Sequence, residues 1–156
     1  MLEVEILGVS QAEEHRFPLV LLRHESRVLP ILVGIPEASA IQLGLLGEKT
    51  ARPMTHDLIC NLLAGLRGVL TSVNIYKLES ETFLAHLNVE QRNSNGEVEQ
   101  ILRIDTRPSD GIAIAVRQGC PILVAEEVME SAAQDASILG GEDEDEEEGR
   151  SDSDSF

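Results

Sequence analysis

Two pairs of apolar runs, each closed by a turn too short to hold a helix, most constrain how this chain can fold. "FPLVLLRH" and "SRVLPILVG" are joined by His24-Glu25-Ser26, and "VLTSVNIYKL" and "ETFLAHLNVEQ" turn at Glu79-Ser80. A connection that short returns a strand antiparallel to its neighbour, because parallel pairing needs a crossover of about a dozen residues or more. Apolar alternation through Val73, Ile75, Phe83, Ala85 and Leu87 gives the second pair one buried face. "LEVEILGVS" alternates Leu2, Val4 and Ile6 and predicts another strand. "NSNG" signals a turn before the strand "EVEQILRID", and "CPILVA" predicts the final strand.

Helices are framed by their end signals. "IPEASAIQLGLLG" opens with Pro36 at a first helical position, carries Ile41 and Leu45 on one stripe, and stops at Gly47. "THDLICNLLAGLR" sets Leu58, Ile59, Leu62, Leu63 and Leu66 at helical spacing, with Thr55 as the expected N-cap and Gly68 past the end. "SDGIAIAVRQG" carries two patterns. Ile112, Ile114 and Val116 alternate as in a strand, yet Pro108, Ser109 as a cap and Gly119 after Arg117 frame a short buried helix; the framing favours the helix. "EEVMESAA" adds a last short helix. The order β β β α α β β β α β α lacks strict βαβ alternation. It predicts an α+β fold, a mixed and largely antiparallel sheet with helices packed against it. The two Arg-Pro helix starts, Arg52-Pro53 and Arg107-Pro108, suggest a degenerate internal duplication.

At 156 residues, one domain is expected over residues 1–136, with a disordered acidic tail over 137–156. Aromatic residues make up 3% and Trp is absent, so Leu, Ile, Val and Ala must build the core. The net charge is −16, and half of it lies in the end segment, where nine acids from Glu142 onward face the single base Arg150. Such a block repels itself and buries nothing, so a solvated tail is expected; an arm for a basic partner, or a nucleic-acid mimic, is the sharper alternative. The folded part is acidic too, which argues against broad binding to a phosphate backbone. Activity on nucleic acid would need a local basic site or a metal ion. No apolar run approaches the ~20 residues that span a bilayer. The N-terminus reads as a strand rather than a signal peptide. Cys60 and Cys120 form no CxxC and read as reduced, buried thiols, so a cytoplasmic protein is expected.

Two stretches carry the chemistry: "RPMTHDL" at 52–58 and "DTRPSD" at 105–110. Each places an arginine and acids at a helix start, where free N–H groups and the helix dipole favour anions. Arg52 and Arg107 can grip a phosphate through paired hydrogen bonds, with Thr55 and Ser109 beside them. Asp57, Asp105 and Asp110 can hold Mg²⁺ or Mn²⁺, hard cations that take oxygen ligands, or can position water. His56 can exchange a proton with that water or the leaving group. Glu37, after a Gly-Ile-Pro turn, faces the same site or simply favours its own helix dipole. The parts suit phosphodiester hydrolysis. The same residues also suit capping and an Arg-Asp tie between segments, giving a non-catalytic anion-binding or assembly module, with a homo-oligomer as one form of it. His15, His24 and His86 stand alone with no ligand spacing. GxSxG, Walker, GxGxxG and HExxH patterns are absent, as are basic runs with interleaved aromatics.

"ILVGIPEASAI", "RPMTHDLICNLL" and "DTRPSDGIAIAVRQGCPILV", in that order, resemble the bifunctional nuclease domain family over roughly residues 1–133. The resemblance implies a compact α+β domain and a nuclease acting on DNA and RNA. It maps the family's polar positions onto Glu37, Arg52, Thr55, His56, Asp57, Asp105, Arg107, Ser109 and Asp110. Some relatives carry a C-terminal helical module of the UVR type; here an acidic tail stands in its place.

Overall fold

A computed structural model describes residues 1–11 and 17–139. Strands β1 (Leu2–Ser10), β2 (Leu19–His24) and β3 (Arg27–Leu32) form a meander that leads into helix α1 (Ile35–Leu46). Helix α2 (Thr55–Gly65) precedes a second meander, β4 (Gly68–Glu79), β5 (Thr82–Arg92) and β6 (Val98–Thr106), which leads into α3 (Pro108–Gln118). The short elements β7 (Ile122–Val124), α4 (Glu126–Ala132), β8 (Gln134–Asp135) and α5 (Ala136–Leu139) follow. The strands make one sheet in the order β6-β5-β4-β7-β1-β2-β3-β8. β7 sews the meanders together, parallel to β4 and antiparallel to β1. The other neighbours are antiparallel, so the chain has the expected α+β fold. Pro30 lies in β3 beyond the two residues that β8 covers, at an edge where its missing N–H breaks no ladder bond.

Three local expectations shift. The β4–β5 turn falls on Ser80-Glu81 rather than Glu79-Ser80; both turn residues take positive φ, 48° and 65°, and Glu79 pairs with Thr82. That handedness matches the twist of the two strands. β7 is not the last strand, because the chain returns through β8 to pair with Arg27 and Val28. α5 runs past the expected boundary at residue 136, and the acidic segment from residue 140 lies outside the described residues.

The repeat visible in the fold also differs from the one expected. Each meander is followed by a helix with proline in its first turn and a left-handed glycine at its end: Pro36 and Gly47 (φ 64°) in α1, Pro108 and Gly119 (φ 70°) in α3. The matching helices are therefore α1 and α3. The Arg-Pro starts belong to α2 and α3, which are not equivalent.

Helix α3 lies at the centre. Ile112, Ala113, Ile114 and Ala115 are all buried, and α1, α2, β4 and β5 surround it. A helix covered all round needs apolar residues on every face, which is why its sequence mimicked strand alternation. Gly111 lets it sit close to the sheet. A Cβ there would stand 2.7 Å from Val73 Cγ1 and 3.3 Å from Thr106 Cγ2. Gly111→Ala should therefore cost about 1–3 kcal/mol through overpacking, read as a lower urea midpoint. An unchanged midpoint would mean that α3 has room to move.

On α2 the apolar residues divide. Ile59 and Leu63 pack on the core, whereas Leu58, Leu62 and Leu66 are more than half exposed, so the five do not form one buried stripe. Cys60 and Cys120 are free and partly buried; burial, with a smaller push from Cys60, raises the Cys120 thiol to about 11. No helix among the described residues is long and apolar enough to cross a membrane.

Candidate functional site at the N-termini of α2 and α3

Helix α2 begins one residue earlier than the Thr55 cap predicts. Met54 is the N-cap, and Asp57 in the first turn reaches back to accept a 2.9 Å hydrogen bond from the Met54 amide. Thr55 is thus the first helical residue. His56 follows on the inward side and is 8% exposed. In α3, the φ that Pro108 imposes starts the helix and makes Arg107 the N-cap. Ser109, expected as a cap, is instead buried inside the first turn and does not line the cleft described below.

The two helix starts meet through side chains. His56 Nε2 lies 2.9 Å from Asp110 Oδ1. Arg107 donates from Nε to the other oxygen, Asp110 Oδ2, at 2.9 Å, and from Nη2 to Glu37 Oε1 at 3.2 Å. One chain of contacts thus runs His56–Asp110–Arg107–Glu37 and joins α2, α3 and α1. Asp110, and then Glu37, raise the Arg107 pKa above its already high value. A second tie lies beside it. Arg117, in the last turn of α3 with its side chain only 10% exposed, donates from Nε to Asp57 Oδ1 at 2.9 Å and from Nη1 to the Ala113 carbonyl at 2.7 Å. The Met54 amide, together with the hydrogen bond and charge of Arg117, holds the Asp57 carboxyl below its usual 3.8 against the opposing effect of burial.

These residues border a cleft of about 390 Å³. Its charged walls are Glu37, His56, Arg107, Asp110 and Arg117, and Leu43, Met54 and Thr55 complete much of the rest. Six of the nine expected site residues thus touch this cleft or its ion pairs: Glu37, Thr55, His56, Arg107 and Asp110 line it, and Asp57 braces Arg117. The remaining three do not, and Ser109 among them is buried inside the first turn of α3. Arg52 is exposed in the loop before α2 and does not line the cleft.

Asp105 is on the wrong face of the sheet. Val73, Leu87 and the neighbouring Thr106 lie against Gly111 and so face α3. Successive strand residues point to opposite faces, so Asp105 points away, in register with His86 and Asn74. The three acids expected to share a metal are therefore not gathered. Both Asp110 oxygens are bonded to His56 and Arg107, and both Asp57 oxygens to Arg117 and the Met54 amide. Among the described residues no three His, Cys, Asp or Glu side chains form a metal-holding group. The donor set does not fit a resident Mg²⁺ or Mn²⁺.

Arg117 is the residue that sequence reasoning missed. Its signal was spacing: it falls seven residues after Asp110, two turns along the same face of α3. His24 and His86 play no part; His24 Nδ1 lies 2.9 Å from the Glu3 carbonyl, and the His86 ring lies 4.9 Å from that of Tyr76. His15 lies outside the described residues.

A two-meander sheet with three helix starts converging on a His-Asp-Arg cleft is the frame in which this chain's relatives are met. The chain belongs to the bifunctional nuclease domain family, whose model matches residues 19–137. It is also similar to two uncharacterized proteins of Mycobacterium tuberculosis, MT1877 of strain CDC 1551 and Rv1829 of strain H37Rv. Each is 40% identical over 132 residues, spanning 83% of this chain and 75% of the relative.

Proposed function

We propose that the chain is a phosphodiester hydrolase acting on nucleic acid, with the cleft between α1, α2 and α3 as its active site. The observation that carries this is the His56–Asp110 contact at 2.9 Å, with Arg107 on the same carboxylate and exposed at the cleft edge. With Nε2 engaged by Asp110, Nδ1 is the ring nitrogen left to take a proton from the attacking oxygen, a water or a ribose 2′-hydroxyl. Asp110 orients the ring and stabilises it once protonated. Arg107 keeps Nη1 outside its two carboxylate bonds, and that group can meet a phosphate oxygen as negative charge builds on it. The family's description points the same way. Roles for Arg52 and Ser109 in binding, and for Asp105 in catalysis, gain no support from their positions.

A second reading has an observation of its own. Both arginines already sit on carboxylates, and exposed apolar residues run from Met54, at the cleft, through Leu58 and Leu62 of α2 to Leu66 at its end. In that reading the polar residues brace a non-catalytic module that assembles with itself or a partner. Incubating the purified protein with single- and double-stranded DNA and RNA, with and without a chelator, decides between them. Cleavage supports the hydrolase, and survival of cleavage in chelator supports the metal-free arrangement. No cleavage under any condition leaves the assembly module.

The acidity of the chain adds a prediction. With a net charge of −16, the protein repels a polyanion as it approaches. Raising ionic strength from about 0.01 to 0.1 M shortens the Debye length from about 30 to about 10 Å. kcat/KM on a polynucleotide should therefore rise over that interval, where that of a basic nuclease falls. Initial rates across a KCl series check it; a steady fall would mean that local arginines outweigh the whole-molecule field.

A further inference from the structure

A second cavity, of about 430 Å³, opens on the other flank of α1. It is lined by Val9, Gln11, Ala38, Ser39, Gln42 and Leu43. Ser39 and Leu43 line both cavities, so the two meet along one side of the helix. Their chemistry differs sharply. The first cavity presents His56, Arg107, Arg117, Glu37 and Asp110; among the described residues, no charged one lines the second. Its walls are apolar at Val9, Ala38 and Leu43, with two amides and one hydroxyl at the edge. A nucleotide has the same division: a charged phosphate joined to a flat, neutral base whose edge carries donors and acceptors.

We propose that this second cavity is a nucleobase subsite, which receives the base beside the phosphate held in the first, with Gln42 as a specificity-determining contact. The proposal rests on reading the first cavity as a phosphate site. The apolar wall covers the faces of the base. A glutamine amide offers a donor and an acceptor side by side, the pair that reads a base edge. The preferred substrate is then a nucleotide unit with an unpaired base, since a base stacked in a duplex cannot enter a pocket beside its own phosphate.

Binding and hydrolysis test it separately. Wild type, Gln42→Leu and Arg107→Ala are titrated with ribose 5-phosphate and with the four common nucleoside monophosphates, following backbone amide shifts. In wild type the nucleoside monophosphates should bind more tightly than ribose 5-phosphate, with one base preferred. Gln42→Leu should weaken the preferred nucleotide about ten-fold, roughly the worth of a lost hydrogen-bonded pair, and flatten the base preference. Arg107→Ala should weaken ribose 5-phosphate and nucleotides alike. Equal wild-type affinity for ribose 5-phosphate and the nucleotides overturns the subsite, as does a Gln42→Leu variant that keeps its base preference. Hydrolysis of bis(4-nitrophenyl) phosphate, which has no base, is measured in parallel. If the base-dependent binding holds and this hydrolysis is absent, the hydrolase reading falls while the subsite stands.

Discussion

His56→Ala should lower the rate of phosphodiester cleavage by about 10²- to 10⁴-fold, the usual worth of a positioned general acid–base group, and should leave a folded protein. The imidazole is buried, so its removal costs some stability, but Asp110 keeps its bond to Arg107 and is not left unpaired. We expect a loss of about 1–2 kcal/mol, not unfolding. Asp110→Asn is the companion. It keeps the shape of the carboxylate but removes the charge that stabilises a protonated ring and holds Arg107, so the rate should fall while KM rises. Rates on one oligonucleotide, measured beside urea midpoints, separate chemistry from folding. If His56→Ala cleaves as fast as wild type, the ring is only a brace between two helices.

Arg117→Met should give the largest stability loss of any polar substitution at the site. Breaking one side of a fully buried ion pair costs about 3–5 kcal/mol. Here Asp57 is about one-third exposed and keeps the Met54 amide, so about 1–3 kcal/mol is the expected loss. The pH dependence identifies the cause. The folded state holds Asp57 below its ordinary 3.8, so its contribution is complete above that value and disappears as pH falls through the lower, folded-state pKa. In Arg117→Met the acid limb of the stability curve should shrink without vanishing, because the Met54 amide still holds the carboxylate. Urea unfolding of both proteins between pH 3 and 7 measures this. A parallel downward shift at every pH would place the loss in packing of the arginine stem instead.

The reach of the sequence is clearest in α3 and α2. For α3, Pro108 and Gly119 declared a helix even though Ile112, Ile114 and Val116 spelled a strand, since backbone restrictions at helix ends act locally. For α2 the spacing announced a helix correctly, but not which of its leucines would be covered. Leu58 and Ile59 are adjacent and equally apolar, and only the position of the core decides that Ile59 packs and Leu58 faces out. The N-cap of α2 was misplaced for a comparable reason: Asp57 reaches back to Met54, an interaction between side chain and amide that residue preference alone does not reveal.

The site follows the same division. That Arg107, Asp110, His56 and Asp57 stand at helix starts was legible, because proline, small polar residues and acids mark such starts chemically. That α2 and α3 start beside each other, and that Glu37 of α1 joins them, required the packing of three helices on one sheet. Asp105 shows the limit from the other side. Two residues before Arg107 in the chain, it belongs to a strand whose pleat turns it to the opposite face. Local order along the chain specifies elements and their ends, because those interactions span only a few residues. Which faces meet is set by the burial of apolar surface contributed by distant segments, and that is why Arg117 joined the site while Arg52 and Asp105 did not.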